Sequence, residues 1–407
     1  MNILLLNAGS SSLKCTLMDS ADSAVLASSL ADWAGSVTRY QFTNRDGKEQ
    51  SEEVSWRGHG EAVRRVLHDL MHTGGPAAAG LDEPKKLTAV GHRVVHGGQF
   101  TSSVRITPEI RSRITALADL APLHNPPSLE TLAAAEAELP NVPHVAVFDT
   151  AFHATLPPEA RTYPVPASWT RDWGIRRFGF HGLSHAYCAG RAAEMLAAGA
   201  ANARHRDDLR LVICHLGHGC SASAVRGGRC LDTTMGFTPL EGLMMATRSG
   251  SIDPSIVLHV QQHHGLTAQQ VEMALNRESG LLGVSGISAD MRQILTSARE
   301  GHDQARLALG IYTHRVRQAI GSLAVSMGGL DALIFTAGVG EHASEVRESI
   351  CSGLECLGLE LDSPANASCQ PDADVARPSS RGRILVIATR EDVTMFREVL
   401  QVLGGIH

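Results

Sequence analysis

The sequence has 407 residues, enough at roughly 150 residues per domain for two or three compact units with ample core and no need of a disulfide or metal staple. Apolar residues make up 43% and charged residues 19%, close to globular averages, which argues against both a disordered chain and a membrane protein. Thirty-six Lys and Arg against 42 Asp and Glu leave a net charge of −6, so neither a nucleic-acid nor a membrane partner is expected, while a few converging Arg and backbone N–H groups can still hold a small anion.

In chain order, Met1 to Lys14 (MNILLLNAGSSSLK) has no positive residue before its short apolar run and so lacks the order of a secretory signal. Apolar runs rich in Val, Ile and Leu recur at Asn2 to Leu6, Leu87 to Val95, His144 to Phe148, Leu211 to His215, Ala332 to Phe335 and Ile384 to Ala388, and each predicts a buried strand. Between the first two, Val63, Val66, Leu67, Leu70 and Met71 have helical spacing, closed by the stop chemistry of Thr73-Gly74-Gly75. Gln318 to Gly340 is nearly uncharged, but Gly328, Gly329 and Asp331 interrupt it, which predicts helix, turn and strand rather than a membrane span. This alternation predicts an α/β fold. The eight cysteines form no C-x-x-C pair, so reduced thiols in a cytoplasmic protein are expected.

A weak internal repeat adds to this. Leu5 to Cys15 and Cys214 to Ala224 each read as strand, Gly/Ser turn and alternating strand, hence as hairpins. Further along each half an apolar strand ends in a polar or Gly-rich turn, at Val147 to Thr150 and at Ile334 to Glu341. Two related lobes facing a cleft follow from such a duplication.

Standard nucleotide motifs are missing: there is no G-x-x-x-x-G-K-S/T, and no G-x-G-x-x-G follows a strand. H-E-x-x-H and G-x-S-x-G are missing too. What remains are Gly-rich strand ends. Asn7 to Lys14 puts small residues, hydroxyls and one cation at a turn where backbone N–H groups can face an anion, although Gly and Ser also make ordinary hairpin turns. His215-Leu216-Gly217-His218-Gly219 is a second such turn and Gly338-Val339-Gly340-Glu341 a third. Arg93 and Arg248 sit at Gly-lined turns; singly each reads as a surface ion-pair partner, together as a clamp for a carboxylate and a phosphoryl group. Asp149 ends an apolar strand, where ligand-facing residues of parallel sheets sit, or it caps a turn. His181 and His185 have the i, i+4 spacing of a zinc pair, but Gly182 weakens a helix there and Ser184 reads as the N-cap of a helix through Leu196. Glu391 precedes a helical pattern, placed either to favour that N-terminus or to hold a hydrated magnesium ion.

These residues resemble the acetate kinase family of the actin-like, sugar-kinase and Hsp70 phosphotransferase superfamily. The resemblance is carried by ten collinear blocks: NAGSSSLK (7 to 14), GHRVVHGG (91 to 98), HNP (124 to 126), FDTAFH (148 to 153), FGFHGLSH (178 to 185), HLGHGCS (215 to 221), MGFTPLEGLMMATRSGSIDP (235 to 254), SGLLGVSGISADMR (279 to 292), FTAGVGE (335 to 341) and TRED (389 to 392). It implies an α/β fold of two actin-like (ribonuclease-H-like) lobes with a nucleotide cleft between them. The first lobe would comprise residues 1–150 plus 385–407, on the magnesium and phosphate side, and the second residues 151–384, binding the nucleotide.

The resemblance further implies reversible phosphoryl transfer from ATP to acetate, giving acetyl phosphate and ADP, with Mg²⁺ (or Mn²⁺) and ATP/ADP as co-substrate, in a cytoplasmic homodimer. A propionate or butyrate kinase, or a catalytically weakened nucleotide sensor, are its alternatives. Asn7 and Glu391 would hold the metal, Lys14 would lie near the phosphates, Arg93 would pair with the substrate carboxylate, and Val95, Leu123, Phe180 and Pro239 would line the acyl pocket. Asp149, His181 and Arg248 would surround the transferring group, with Asp149 orienting an arginine or the metal's waters rather than taking a proton. His215, Leu216, Gly217, His218 and Gly219, then Asp290, Met291 and Arg292, then Gly338, Val339, Gly340, Glu341 and His342 would hold the nucleotide. The family pattern has Asn at positions 218, 342 and 390, Asp at 251 and Gly at 246, where this chain has His218, His342, Arg390, Ser251 and Ala246. The first two put a titratable ring in a nucleotide turn.

Overall fold

The fold is seen in a computed structural model, which describes residues 1–72, 87–118, 121, 125–198 and 208–404. Two sets of residues pack among themselves: Met1–Ala151 with Arg390–His407 (unit 1), and Phe152–Thr389 (unit 2).

Unit 1 carries β1 (Asn2–Ala8), β2 (Ser12–Asp19), β3 (Val25–Asp32), β4 (Thr38–Asn44), β5 (Glu49–Val54), β6 (Leu87–Val94), β7 (Val104–Arg105) and β8 (His144–Phe148). They form one sheet in the order β5-β4-β3-β2-β1-β6-β8-β7. Unit 2 carries β9 (Arg210–Leu216), β10 (Cys220–Arg226), β11 (Arg229–Thr233), β12 (Ala332–Thr336), β13 (Ala373–Asp374) and β14 (Arg383–Val386), in the order β11-β10-β9-β12-β14-β13. The six apolar runs are the parallel strands β1, β6 and β8 and β9, β12 and β14. Covered on both faces, such strands read as continuous apolar runs, and all five residues of β8 and of β12 are buried.

The two sheets share one plan. A hairpin, a third antiparallel strand, two further parallel strands and a short antiparallel edge strand occur in the same chain order in each, with β4 and β5 an extension peculiar to unit 1. This topology corrects one detail of the repeat. β12 occupies the place of β6, and β14 that of β8, so the turn after Phe335 matches the one after Val94, while Asp149 matches the region after Val386. The return into unit 1 falls at Arg390 and not at 385, because β14 is hydrogen-bonded to β12 and belongs to the second sheet.

Helices cover each sheet. Val63, Val66, Leu67 and Leu70 of helix His59–His72 pack with Leu4, Leu6, Leu13 and Leu17 on one face of the first sheet; the expected Gly-rich stop lies outside the described residues. The final helix, Glu391–Val402, lies on the other face. A Cβ on Gly91 of β6 would come within 2.7 Å of Val399 Cγ2 and 2.9 Å of Leu5 Cδ2, so glycine lets this helix approach the sheet closely and seats Glu391 at its start. In unit 2, helix Gly182–Ala198 packs Cys188 and Ala192 against Ile213, Ile334 and Leu385, and Asp303–Ser326 lies along β9, β10 and β11. As expected, residues 318–336 are the end of that helix, a turn and β12, and residues 337–340 begin a further short helix. Among the described residues no helix is long and apolar enough to cross a membrane.

The first sheet also buries two histidines. His144 Nε2 donates to Leu139 O (3.2 Å), leaving Nδ1 to accept from His92 Nε2 (2.9 Å). Burial lowers the pKa of both, that of His92 well below the ordinary value. Unfolded, both rings take up a proton below about pH 6.5; folded, they resist it, so the unfolded state binds more protons and stability falls as pH falls. Urea unfolding of unit 1, followed through Trp33 and Trp56, should weaken by up to about 1.4 kcal/mol per ring and pH unit below about pH 6.5. A midpoint that holds or rises on acidification contradicts a neutral pair.

Candidate active site

In unit 1 the chemistry gathers where β1, β6 and β8 end. Arg93, one residue before the end of β6, donates through Nε to Asp149 Oδ1 (3.1 Å) and through Nη2 to Oδ2 (2.6 Å), a bidentate pair. Its Nη1 donates to Asn7 Oδ1 (3.1 Å) and lies 3.3 Å from Glu391 Oε2. Asp149 is fully buried, whereas the Arg93 side chain keeps 17% of its exposure. Burial opposes the guanidinium charge, but the Asp149 and Glu391 carboxylates outweigh it and raise the pKa above its ordinary value, so Arg93 stays cationic. Four residues far apart in sequence thus form one cluster with a fixed, partly solvent-facing cation. Lys14 faces Asn7 across the β1–β2 hairpin and is exposed; Val95 is buried just past β6, and Leu123 lies outside the described residues.

In unit 2 the second hairpin bears the turn His215 to Gly219, beside the start of helix Gly182–Ala198. That helix starts two residues before Ser184, so Ser184 is not its N-cap; its hydroxyl bonds His215 Nδ1 (2.8 Å) and accepts from Thr389 Oγ1 (3.0 Å). His181, just ahead of the helix, has φ +58°, a left-handed conformation that costs a non-glycine residue about 1 to 3 kcal/mol and is kept where the surroundings impose it. His181 stacks on His215 with ring centroids 4.1 Å apart. His181 and His185 make no zinc pair: both bond the Ser221 hydroxyl, and no metal-holding group of three or more His, Cys, Asp or Glu occurs among the described residues.

Arg248 sits in the irregular segment after β11, its Nη1 donating to Pro239 O (3.0 Å). Burial lowers its pKa and nearby Arg277 adds to this, against Cys220. The segment is braced by groups the sequence does not announce. Arg177 Nη1 donates to the carbonyls of Thr233, Thr234 and Met235 (3.0 to 3.2 Å) and Nη2 to Glu241 Oε1 (2.8 Å), while Tyr163 donates to Glu241 Oε2. A side chain on Gly236 would overlap Glu241 and Tyr163, so only glycine leaves this brace in place. Phe180 is buried and Pro239 half-buried.

Beside these groups unit 2 has a cavity of 820 Å³, lined by Gly217, His218, Asp290, Met291, Arg292, Gly338, Val339 and His342 among others. Burial, then Arg248 and Arg277, lower the His218 pKa, so its ring is neutral near pH 7. Asp290 caps the helix Met291–Arg299 and pairs with Arg292 at 2.6 Å. The expected third Gly-rich turn is instead a short helix, Ala337–His342. The Glu341 carboxylate within it accepts from Ala337 N (2.8 Å) and Thr389 N (3.0 Å) and ties the ends of β12 and β14 together. Leu216 is wholly buried.

A model described as the acetokinase family matches residues 2–397. An acetate kinase of Rippkaea orientalis is 46% identical over 407 residues, covering 98% of this chain and 98% of that relative. Porphyromonas gingivalis acetate kinase matches in structure with a TM-score of 0.88 at 36% identity, over 99% of both chains. A propionate kinase from Francisella tularensis gives the same TM-score, 0.88, and the same identity, 36%, over 98% of both. With a family model spanning nearly all of its length and relatives alike end to end, the chain belongs to the acetokinase family, whose fold is a pair of actin-like lobes.

Proposed function

We propose that the protein transfers the γ-phosphoryl group of ATP to acetate, reversibly, giving acetyl phosphate and ADP. The observation that carries this reading is Arg93, a cation locked by Asp149 at the strand ends of an acetokinase-family chain. A carboxylic acid with a pKa near about 4.3 is ionised at neutral pH, so no base is needed to activate it. The barrier is one of bringing anions together, and positioning and charge neutralisation lower it.

In this reading Arg93 pairs with the substrate carboxylate, and Asp149 keeps the guanidinium aimed without taking a proton. His181 and Arg248 donate to the oxygens of the transferring group, and the acyl chain meets Val95, Phe180 and Pro239. The nucleotide occupies the 820 Å³ cavity, with His218 and His342 among its walls. Asn7 and Glu391 each offer a side-chain oxygen, the hard donor that magnesium takes alongside water and phosphate, and they are the residues that would hold it. The ion would supply charge neutralisation on the phosphates. The family resemblance also supports a cytoplasmic homodimer. A second reading, propionate as acceptor, is favoured by the propionate kinase that this chain resembles as closely in structure as the acetate kinase; one methylene separates the substrates by only about 1 to 3 kcal/mol.

Purified protein should therefore phosphorylate acetate with ATP and lose that activity in excess EDTA; full activity with the chelator contradicts the metal's role. In a coupled assay across acids of increasing length, kcat/KM should favour acetate over propionate by about tenfold or more. A preference for propionate moves the assignment to the second reading. Arg93→Ala should raise KM for the acid and lower kcat as well, since the carboxylate loses its partner in both ground and transition states. An unchanged KM for acetate removes Arg93 from the substrate.

A further inference from the structure

The hydroxyl of Ser221, on β10, lies between two imidazoles: 2.9 Å from His181 Nδ1 and 2.8 Å from His185 Nε2. Ser221 and His185 are wholly buried, His181 half-buried. A hydroxyl has one proton to give, and this one has no other hydrogen-bond partner among the described residues, so it donates to one ring and accepts from the other.

The outer nitrogen of His185 decides between the two directions. His185 Nδ1 is buried and has no hydrogen-bond partner among the described residues. If the Ser221 hydroxyl donated to His185 Nε2, the His185 proton would reside on Nδ1, a buried N–H with no acceptor. In the opposite direction Nδ1 carries only a lone pair. Orphaned buried donors are the rarer and costlier defect, so the second arrangement prevails. Protonation of His185 at both nitrogens is opposed by burial, with His153 and His215 nearby adding to it; this lowers the His185 pKa well below the ordinary value. His153, against the His185 ring at 5.6 Å, is itself held neutral, its pKa pushed down to about 4 by burial, and donates through Nε2 to Phe180 O (2.9 Å).

We infer that Ser221 and His185 are positioning residues that fix the tautomer of His181. His185 Nε2–H donates to Ser221 Oγ, the Ser221 hydroxyl donates to His181 Nδ1, and the His181 proton is thereby kept on Nε2. A Cβ built on Gly219 would lie 3.2 Å from His181 Nε2 and 3.5 Å from Arg248 Nη1, so both nitrogens converge on the side of Gly219 that lacks a side chain. There Nε2–H is a donor of fixed direction beside a guanidinium, a pairing that suits an anionic oxygen. The other tautomer would turn a lone pair toward the same oxygen and repel it. The catalytic half of this inference rests on the reading of His181 given above; the tautomer does not.

Two measurements test it. In histidine-¹⁵N-labelled protein, with the His181 signals identified by their loss in His181→Asn, long-range ¹H–¹⁵N correlations should show the proton on Nε2 near neutral pH. In Ser221→Ala the Nδ1–H form should appear, and kcat for acetate should drop about tenfold or more with KM for ATP and acetate little changed. His185→Gln, whose amide can donate where Nε2–H does, should keep kcat within about threefold of wild type, while His185→Leu should behave like Ser221→Ala; rescue by the donor alone separates positioning from simple packing. An Nδ1–H signal in the wild type overturns the inference, and so does a Ser221→Ala enzyme with unaltered tautomer and kcat. A wild-type protein that shows Nε2–H but never phosphorylates acetate removes the functional reading and upholds the tautomer assignment.

Discussion

The bidentate pair of Arg93 and Asp149 is the constraint on which unit 1 is built. Parallel pairing of β6 with β8 brings the ends of two strands from different parts of the chain side by side, and Arg93 there compensates the buried carboxylate of Asp149. Removing one partner of such a pair costs about 3 to 5 kcal/mol, so structure and chemistry are selected together. Arg93 in turn draws in Asn7 from β1 and Glu391 from the final helix, which Gly91 admits to the sheet. A guanidinium fixed in this way at all three nitrogens meets a ligand anion with little reorganisation, through the second N–H of a terminal nitrogen.

Unit 2 uses the same sheet plan for a different purpose. Its hairpin turn is built around rings and hydroxyls instead: His215 on Ser184, and His181 and His185 on Ser221, with burial holding His185 neutral. Buried histidines kept neutral have defined donors and acceptors, and hydroxyls between them pass on that direction. Arg177 and Glu241 brace the segment that bears Arg248. Charge is handled by rigid placement in both units, which suits phosphoryl transfer between anions better than acid–base catalysis does.

Much of this was legible in the sequence. The six buried parallel strands announce themselves as continuous apolar runs because they are covered on both faces, and the two hairpins through their Gly/Ser turns between alternating residues. Position at strand ends marked Arg93 and Asp149. Their mutual contact was not legible, since pairing across 56 residues is set by sheet order. The same blindness misaligned the repeat by one strand, for apolar strands of similar length look alike until their neighbours are known. Ser184 resembled an N-cap by residue type, but a histidine with positive φ began the helix earlier and left the hydroxyl to His215. Ser221 and Glu241 lie inside two of the ten blocks and Arg177 just ahead of a third, but the motifs do not say what these side chains bond; their roles come from what burial leaves them to bond.

The central claim is that the phosphoryl group passes directly between two anions held in place, with no enzyme-bound phosphate in between. A γ-phosphate made chiral with oxygen isotopes and sulfur tests this most directly: one in-line transfer to acetate inverts its configuration, as the account predicts, and overall retention, the mark of two successive transfers, would contradict it.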